Sequence, residues 1–345
     1  MKVISKKDWE ELLRRLSGER AIWAPRLVAG RPLFGPVGEV EQIDPGHVNT
    51  LNPAKVRFFP HTETILRFRK EKEGIFFEPP PREDAKALLF GVRPCDARSF
   101  VMLDKLFLEG EYRDPYYAEK RENSLVVGIG CNLPLRSCFC TSVGGGPFGT
   151  EGLDVLLTDL GDEYLAEACT AGGEELLGTV PRARDCGESD TRRRQELEAA
   201  CRSRMDPVDL LEGVKTRLDS LYDNPFWDTL FLKCIACGNC TYHCPTCHCF
   251  DIVEEAGEEG GRRLRNWDSC MYPLFTLHAS GHNPRPTGKE RWRQRLMHKF
   301  RYYVENFGVS ACVGCGRCII NCPVNMDIRR ILMAVQELDI SGGAS

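Results

Sequence analysis

The sequence predicts two domains: an α/β domain with some α+β character over residues 1–222, and a mainly α-helical, cysteine-rich domain over 223–345. Three observations support this division. Short apolar runs closed by proline or glycine, which are typical of buried strands, fall in the first domain. Helical periodicity dominates the end of the chain. Eleven of the eighteen cysteines lie between Cys234 and Cys322, so the composition changes at the boundary.

The elements of the first domain follow in order along the chain. Ser5 is the predicted N-cap of a helix that carries Leu12, Leu13 and Leu16 on one side. Alternation of polar and apolar residues, or a short apolar run, predicts strands at 64–69, 87–92, 124–129 and 152–158. Parallel strands of this apolar kind are buried on both faces, so we expect a layered α/β core.

From residue 163 to 221 the pattern becomes helical and charged. Its clearest helix is predicted to begin at Asp206 and Pro207, because an acidic cap followed by proline suits a first helical turn. Apolar residues then recur at helical spacing: Val208, Leu211, Val214, Leu218 and Leu221. The segment 223–225, Asp-Asn-Pro, is the predicted domain boundary.

Charge and composition exclude several classes of protein. The net charge is −4 with both signs interspersed, so no basic face for nucleic acid is expected. The basic run 192–194 lies among acidic residues, as on a solvated helix. No apolar run approaches the roughly 18–20 residues that cross a bilayer, and the N-terminus lacks the apolar region of a secretory signal. We expect a cytoplasmic protein, in which eighteen cysteines indicate metal binding rather than disulfides, as is usual in anaerobes.

Two copies of one cysteine motif carry the strongest signal. Residues 234–245 and 312–323 both have the spacing C-x2-C-x2-C-x3-C-P. The first three cysteines of such a motif bind one 4Fe–4S cluster, and the fourth binds the other cluster. The predicted ligands of one cluster are Cys234, Cys237, Cys240 and Cys322. Those of the other are Cys312, Cys315, Cys318 and Cys244. Zinc is the alternative, but zinc ribbons lack a third cysteine at this spacing.

The distance between the motifs indicates the type of domain. Sixty-seven residues separate Cys244 from Cys312, far more than two short hairpins need. Helix-like stretches are predicted at 272–279, 291–307 and 328–338. The second domain is therefore predicted to be an α-helical ferredoxin-type domain with two 4Fe–4S clusters, and two adjacent clusters are the expected arrangement for electron transfer.

Four cysteines of the first domain predict a third cluster. Cys95 and Cys131 each follow a predicted strand, at the sheet edge where open α/β proteins bind ligands. Cys138 and Cys140 follow on the next loop. The four thiols are enough for a third 4Fe–4S cluster. The alternative is that they are buried free cysteines that pack as small apolar residues.

The remaining cysteines have no assigned role. Ligation or simple packing beside a cluster both stay open for Cys247, Cys249 and Cys270. Structural or free thiols are expected at Cys169, Cys186 and Cys201. The glycine-rich segment 144–149 lacks the residues of a phosphate loop, and no flavin or nicotinamide motif is present.

The motifs together resemble one family of iron–sulfur proteins. The resemblance lies in residues 226–227, 234–251, 266–270 and 312–318, and in the first domain at 91–96 and 138–142. The chain resembles the iron–sulfur beta subunit of soluble NiFe hydrogenases (sulfhydrogenases), a group that includes the A-type iron–sulfur component of anaerobic sulfite reductase. The resemblance covers most of the chain from about residue 85. Only the combination of the C-terminal and N-terminal motifs is specific to this family.

The resemblance implies a non-catalytic electron-transfer subunit of a hetero-oligomeric oxidoreductase. Its partners would be a flavoprotein that handles NAD(P)H and a catalytic redox subunit of the hydrogenase or sulfite-reductase type. An alternative is catalytic: clusters or free thiols, with Cys247, Cys249 and Cys270 as candidates, would reduce sulfur, polysulfide or another small substrate. A redox-sensing module is the third hypothesis, for which no basic nucleic-acid surface offers support.

Overall fold

The computed structural model describes residues 1–80 and 86–339. Its strands are β1 (Lys2–Ser5), β2 (Ala21–Val28), β3 (Arg31–Val37), β4 (Thr62–Glu71), β5 (Gly74–Glu78), β6 (Ala87–Val92), β7 (Ser124–Ile129), β8 (Val155–Asp159), β9 (Glu163–Ala168), β10 (Arg184–Asp185), β11 (Phe250–Ala256) and β12 (Gly260–Trp267). An eight-stranded sheet has the order β10-β1-β9-β8-β7-β6-β2-β3, and a four-stranded sheet has the order β11-β12-β4-β5.

The centre of the large sheet is parallel. Strands β2, β6, β7 and β8 run in one direction, and antiparallel strands flank them. All six residues of β6 are buried, as expected for a strand covered on both faces. The carboxyl ends of β6 and β7 meet at one edge, so Cys95 and Cys131, which follow these strands, lie at that edge.

Helices cover the sheet and form most of the remaining chain: α1 (Lys6–Leu16), α2 (Pro94–Phe107), α3 (Pro115–Glu122), α4 (Ala171–Gly178), α5 (Glu188–Arg202), α6 (Val214–Ser220), α7 (Phe226–Leu230), α8 (Asn239–Tyr242), α9 (Gly288–Met297), α10 (Tyr303–Phe307), α11 (Arg317–Ile320) and α12 (Ile328–Glu337). The predicted cap of α1 is confirmed, since the Ser5 side chain accepts from the Asp8 N–H. A π-helical turn, His298–Tyr302, joins α9 to α10, which confirms the long helix predicted at 291–307.

The small sheet corrects the expectation of a purely helical second domain. Residues 250–267 form the hairpin β11–β12, which pairs with β4 of the first domain. Crossed charges stabilise this exposed hairpin, with Arg263 facing Glu254 and Arg262 facing Glu255. Because one sheet contains strands from both predicted domains, the boundary at 222–223 marks a change in composition within a shared framework, and the division into two domains stays a prediction.

Two predicted helices differ from those observed. The helix expected from Asp206 begins only at Val214, because Gly213 adopts a left-handed φ of 68° and starts the helix there. The helix expected at 272–279 is reduced to the 3₁₀ turn Pro273–Thr276. Among the described residues, no helix has the length and apolar character needed to span a membrane.

Candidate metal centre

Three cysteines of the first motif share a cavity with the last cysteine of the second motif. The cavity has about 460 Å³ of empty volume and is lined by Cys234, Cys237, Cys240 and Cys322, which we call the first site. Backbone N–H groups donate to two of its sulfurs, from Ala236 to Cys234 Sγ at 3.4 Å and from Met326 to Cys322 Sγ at 3.2 Å. Hydrogen bonds to sulfur are a recognised means of tuning iron–sulfur clusters, so this set fits a cluster.

The second site consists of the other predicted ligands, Cys244, Cys312, Cys315 and Cys318. Burial is the main cause that raises the pKa of the last three thiols, and the charge of Cys244 raises it further. Cys244 therefore lies near all three, although at least 68 residues separate it from them in sequence. Thiols that burial keeps protonated become ligands when a metal replaces the proton.

The third set of predicted ligands also surrounds one cavity. Its empty volume is about 350 Å³, and its lining includes Cys95, Cys131, Cys138 and Cys140, which we call the third site. Burial raises the pKa of Cys140 to about 12, and the neighbouring Cys131 and Cys138 raise it further. Four thiols from three separate segments thus converge, which random packing of free cysteines would not require.

The second and third sites share a wall. Cys315 and Gly314 of the second motif line the third cavity, and the Phe139 N–H donates to the Gly314 carbonyl at 2.8 Å. Gly314 has a φ of 64°, and a Cβ there would collide with the backbone of Phe139 and Cys140. Glycine is therefore required for this approach of the two cysteine loops.

A buried ion pair fastens the same junction. The Arg317 guanidinium donates to both carboxylate oxygens of Asp96, at 2.5 and 2.7 Å, and to the Thr50 carbonyl at 2.8 Å. Both side chains of the pair are almost fully buried. Asp96 adjoins Cys95, and Arg317 lies between Cys315 and Cys318, so the pair holds the second and third sites in register.

Three further buried cations face the cysteines. Lys55, Arg295 and Lys299 are 1%, 2% and 4% exposed. In contrast to Arg317, none of the three belongs to an ion pair with a carboxylate within residues 1–80 and 86–339. The negative groups that act on them are thiolates. Because a buried charge needs a counter-charge, these cations fit a site that holds anionic thiolate-bound clusters.

The contacts of the three cations are specific. Lys299 Nζ donates to Cys244 Sγ at 3.3 Å, to Thr246 Oγ1 at 3.0 Å and to the Ala311 carbonyl at 2.8 Å. Arg295 donates to the Cys240 carbonyl at 2.8 Å and lies 3.7 Å from Cys247 Sγ. The pKa of Lys299 is lowered by burial but raised more strongly by the thiolates of Cys244 and Cys247, so its net shift is upward.

Lys55 is the cation that sequence reasoning had no means to find. It donates to the Cys247 carbonyl and lies 4.1 Å from the centre of the Trp267 ring. Burial lowers the pKa of Lys55 to about 8. Arg295 and Lys299 did leave a signal, since two basic residues at i and i+4 share one face of a helix. That face is buried here.

The geometry of the thiols suits clusters better than single ions. Over the described ranges 1–80 and 86–339, no three histidine, cysteine or acidic side chains converge on a point that one metal ion could occupy. The four thiolates that hold a 4Fe–4S cluster bind different irons and therefore lie farther apart than the ligands of one zinc ion. Mononuclear zinc sites are therefore not supported by the described residues.

The unassigned cysteines divide into two groups. Cys247, Cys249 and Cys270 lie beside the first two sites: Cys247 contacts Cys244, and Cys249 contacts Cys270. Cys201 is buried in α5, close to Cys131 and Cys138 of the third site. Cys169 and Cys186 make only local hydrogen bonds to their neighbours in the described structure.

Comparison with known proteins agrees with these sites. Residues 233–326 match the family described as the 4Fe-4S dicluster domain, and such a domain supports two 4Fe–4S clusters. The chain is 32% identical over 333 residues to sulfhydrogenase 2 subunit beta of Pyrococcus furiosus, and the alignment covers 95% of this chain and 96% of that protein. No solved structure matches the chain significantly.

Proposed function

The chain belongs to the family of sulfhydrogenase beta subunits, and on that premise we propose that it relays single electrons between two partners, a flavoprotein NAD(P)H oxidoreductase and a catalytic redox subunit. The catalytic partner would be of the hydrogenase or sulfite-reductase type. We further propose that the third site holds a third 4Fe–4S cluster and that the complex is a cytoplasmic hetero-oligomer. When bound, each cluster would accept and donate one electron at a time.

The order of the three sites is the observation that carries this proposal. Cys318 of the second site lines the first cavity, and Cys315 of the second site lines the third cavity. The second site therefore lies between the other two. Three adjacent sites in sequence provide a path through the chain, whereas a catalytic centre needs only one.

The ends of this path differ in what surrounds them. At the first site, Cys237 is exposed. Nearby on the chain lie Leu232 and Ile235, which are 68% and 63% exposed, and Ile320, which precedes Cys322, is 62% exposed. Exposed apolar side chains around a ligand favour a contact with another protein there. We infer that one redox partner docks at the first site.

The third site adjoins a larger cavity at the carboxyl edge of the sheet. Cys131 lines both cavities. Lys6, Trp9 and Tyr164 line the larger one, which has about 1070 Å³ of empty space. The protein therefore leaves the third site open to exchange at the far end of the path, away from Cys237.

Reduction of the purified chain tests the proposal. The chain is produced anaerobically and titrated with dithionite, while paramagnetic resonance counts the reduced clusters. We expect uptake of about three electrons per chain, one for each cluster, with no oxidation of hydrogen and no turnover of sulfite or polysulfide. Substrate turnover by the isolated chain would contradict the relay and favour the catalytic alternative.

The docking surface has its own test within the hetero-oligomer. Ile235→Glu places a charge beside Cys237 and is expected to slow electron delivery to the chain at unchanged iron content. Leu27→Glu is the matched control, since Leu27 is also more than half exposed but lies on the large sheet. Equal rates in both variants would remove the first site as the docking end.

A further inference from the structure

Two cysteines outside the three sites form a close pair. Cys249 immediately precedes β11, and Cys270 follows the end of β12 by three residues. The Asp268 N–H donates to the Cys249 carbonyl at 3.0 Å, which extends the pairing of the hairpin beyond Phe250 and Trp267. We propose that Cys249 and Cys270 are a redox-active dithiol that closes to a disulfide and reopens within the folded chain.

The contacts between the two residues carry this inference. Cys249 accepts hydrogen bonds from both the thiol and the backbone N–H of Cys270. Two donors on one sulfur stabilise its thiolate form. A thiolate that lies against a second thiol is the arrangement from which a disulfide forms, because the thiolate is the attacking species.

Buried positive charge strengthens the same asymmetry. Lys55 and Arg295 both act on Cys249. The hydrogen bond from the Cys270 thiol is the main cause that lowers the pKa of Cys249 to about 6, against an opposing effect of burial. The same hydrogen bond, together with burial, raises the pKa of Cys270. Cys249 therefore serves as the nucleophile, and Cys270 serves as the resolving thiol.

The pair is not a natural ligand set. Each of the three sites already has four cysteines, and the sulfurs of Cys249 and Cys270 are in direct hydrogen-bonding contact. An iron–sulfur core between them would need the two sulfurs to separate. Direct contact instead leaves room for only one product, a bond between the two sulfurs.

The reaction balances with a one-electron donor or acceptor of low potential, the chemical class proposed for the three sites. On oxidation the Cys249 thiolate and the Cys270 thiol lose two electrons and one proton, and the S–S bond forms. On reduction two electrons enter one after the other, the S–S bond breaks, Cys270 takes up one proton and Cys249 remains a thiolate.

The position of the pair connects it to the proposed relay. Cys247 contacts Cys244 of the second site and also acts on Cys270. Arg295 lines the first cavity and acts on Cys249. The inference thus rests on the proposed function for its electrons. It adds a two-electron store to a path that otherwise carries one electron at a time.

Differential alkylation of the holoprotein tests this pair. The intact chain is equilibrated anaerobically at a series of potentials, denatured in iodoacetamide, and mapped by peptide mass spectrometry. We expect Cys249 and Cys270 to lose labelling together at high potential and to regain it after reduction. In Cys249→Ser, Cys270 should stay labelled at every potential. Cys186→Ser is the control and should leave the behaviour of the pair unchanged.

Iron content measured on the same samples separates the outcomes. Unchanged iron in Cys249→Ser and Cys270→Ser is expected. Loss of about four irons in either variant would identify the residue as a cluster ligand and overturn the dithiol. Constant labelling of both cysteines in the wild-type chain would overturn it as well. Absence of iron in the wild-type chain would refute the relay, whereas coupled loss of labelling would still report the disulfide.

Discussion

Lys299 offers the sharpest test of how the protein tunes its second site. Its ammonium group is almost fully buried and donates to Cys244 Sγ at 3.3 Å. Reduction of a cluster at this site would add negative charge beside it. Lys299→Met removes the positive charge and keeps an unbranched apolar side chain of similar length. The variant should therefore make the second site harder to reduce.

The magnitude follows from Coulomb's law. At an effective dielectric constant of about 20, a full charge at 3.3 Å would contribute about 5 kcal/mol. The added electron spreads over the whole cluster, so an effective separation of roughly 6 Å and about 3 kcal/mol is more appropriate. For a one-electron couple, in which about 59 mV is a tenfold change, this corresponds to a drop on the order of 100 mV.

A redox titration followed by paramagnetic resonance measures this shift. Iron content is determined first, so that loss of the cluster is not mistaken for a change in potential. Lys299→Arg retains the charge and is expected to shift the potential much less than Lys299→Met. Lys7→Met removes a surface charge from α1 and should have no effect. An unchanged or higher potential in Lys299→Met would refute the electrostatic account.

Three further predictions concern the junction and the acid stability. Asp96→Asn should lower the free energy of unfolding in denaturant by about 3–5 kcal/mol, because Arg317 is left buried without its counter-charge. Asp185→Asn breaks an exposed pair and should cost no more than about 1 kcal/mol. Gly314→Ala should abolish iron binding at the second and third sites, seen as reduced iron per chain, since its Cβ collides with the neighbouring loop. Burial lowers the pKa of His248 from 6.5 to about 3, so only the unfolded chain takes up this proton between those pH values. The unfolding free energy should fall by up to about 1.4 kcal/mol per pH unit on acidification in that range, and His248→Gln should reduce the slope.

Local pattern was sufficient for much of the fold. The runs at 87–92 and 124–129 are buried parallel strands, as predicted, because residues covered on both faces must be apolar throughout. The cap at Ser5 was also predictable from side-chain chemistry. The cysteine spacing located the two C-terminal ligand sets, and the ends of β6 and β7 brought Cys95 and Cys131 together. Which thiols bind iron stays a prediction.

Long-range contacts set the limit of the sequence reasoning. The hairpin β11–β12 is highly charged and pairs with β4 from a distant part of the chain, so no local pattern predicted that pairing. Lys55 reaches the cysteines from the 3₁₀ turn Ala54–Arg57, and only the folded chain brings it there. The contact between Cys249 and Cys270 likewise depends on the register of the hairpin.

Metal analysis of the anaerobically purified chain tests the central claim most directly. Three sites predict about twelve irons per chain, since each 4Fe–4S cluster holds four. Cys138→Ser in the third site should lower the count to about eight and leave the paramagnetic signals of the other two clusters in place. Zinc in place of iron would contradict the account. About eight irons in both the wild-type chain and Cys138→Ser would remove the third cluster.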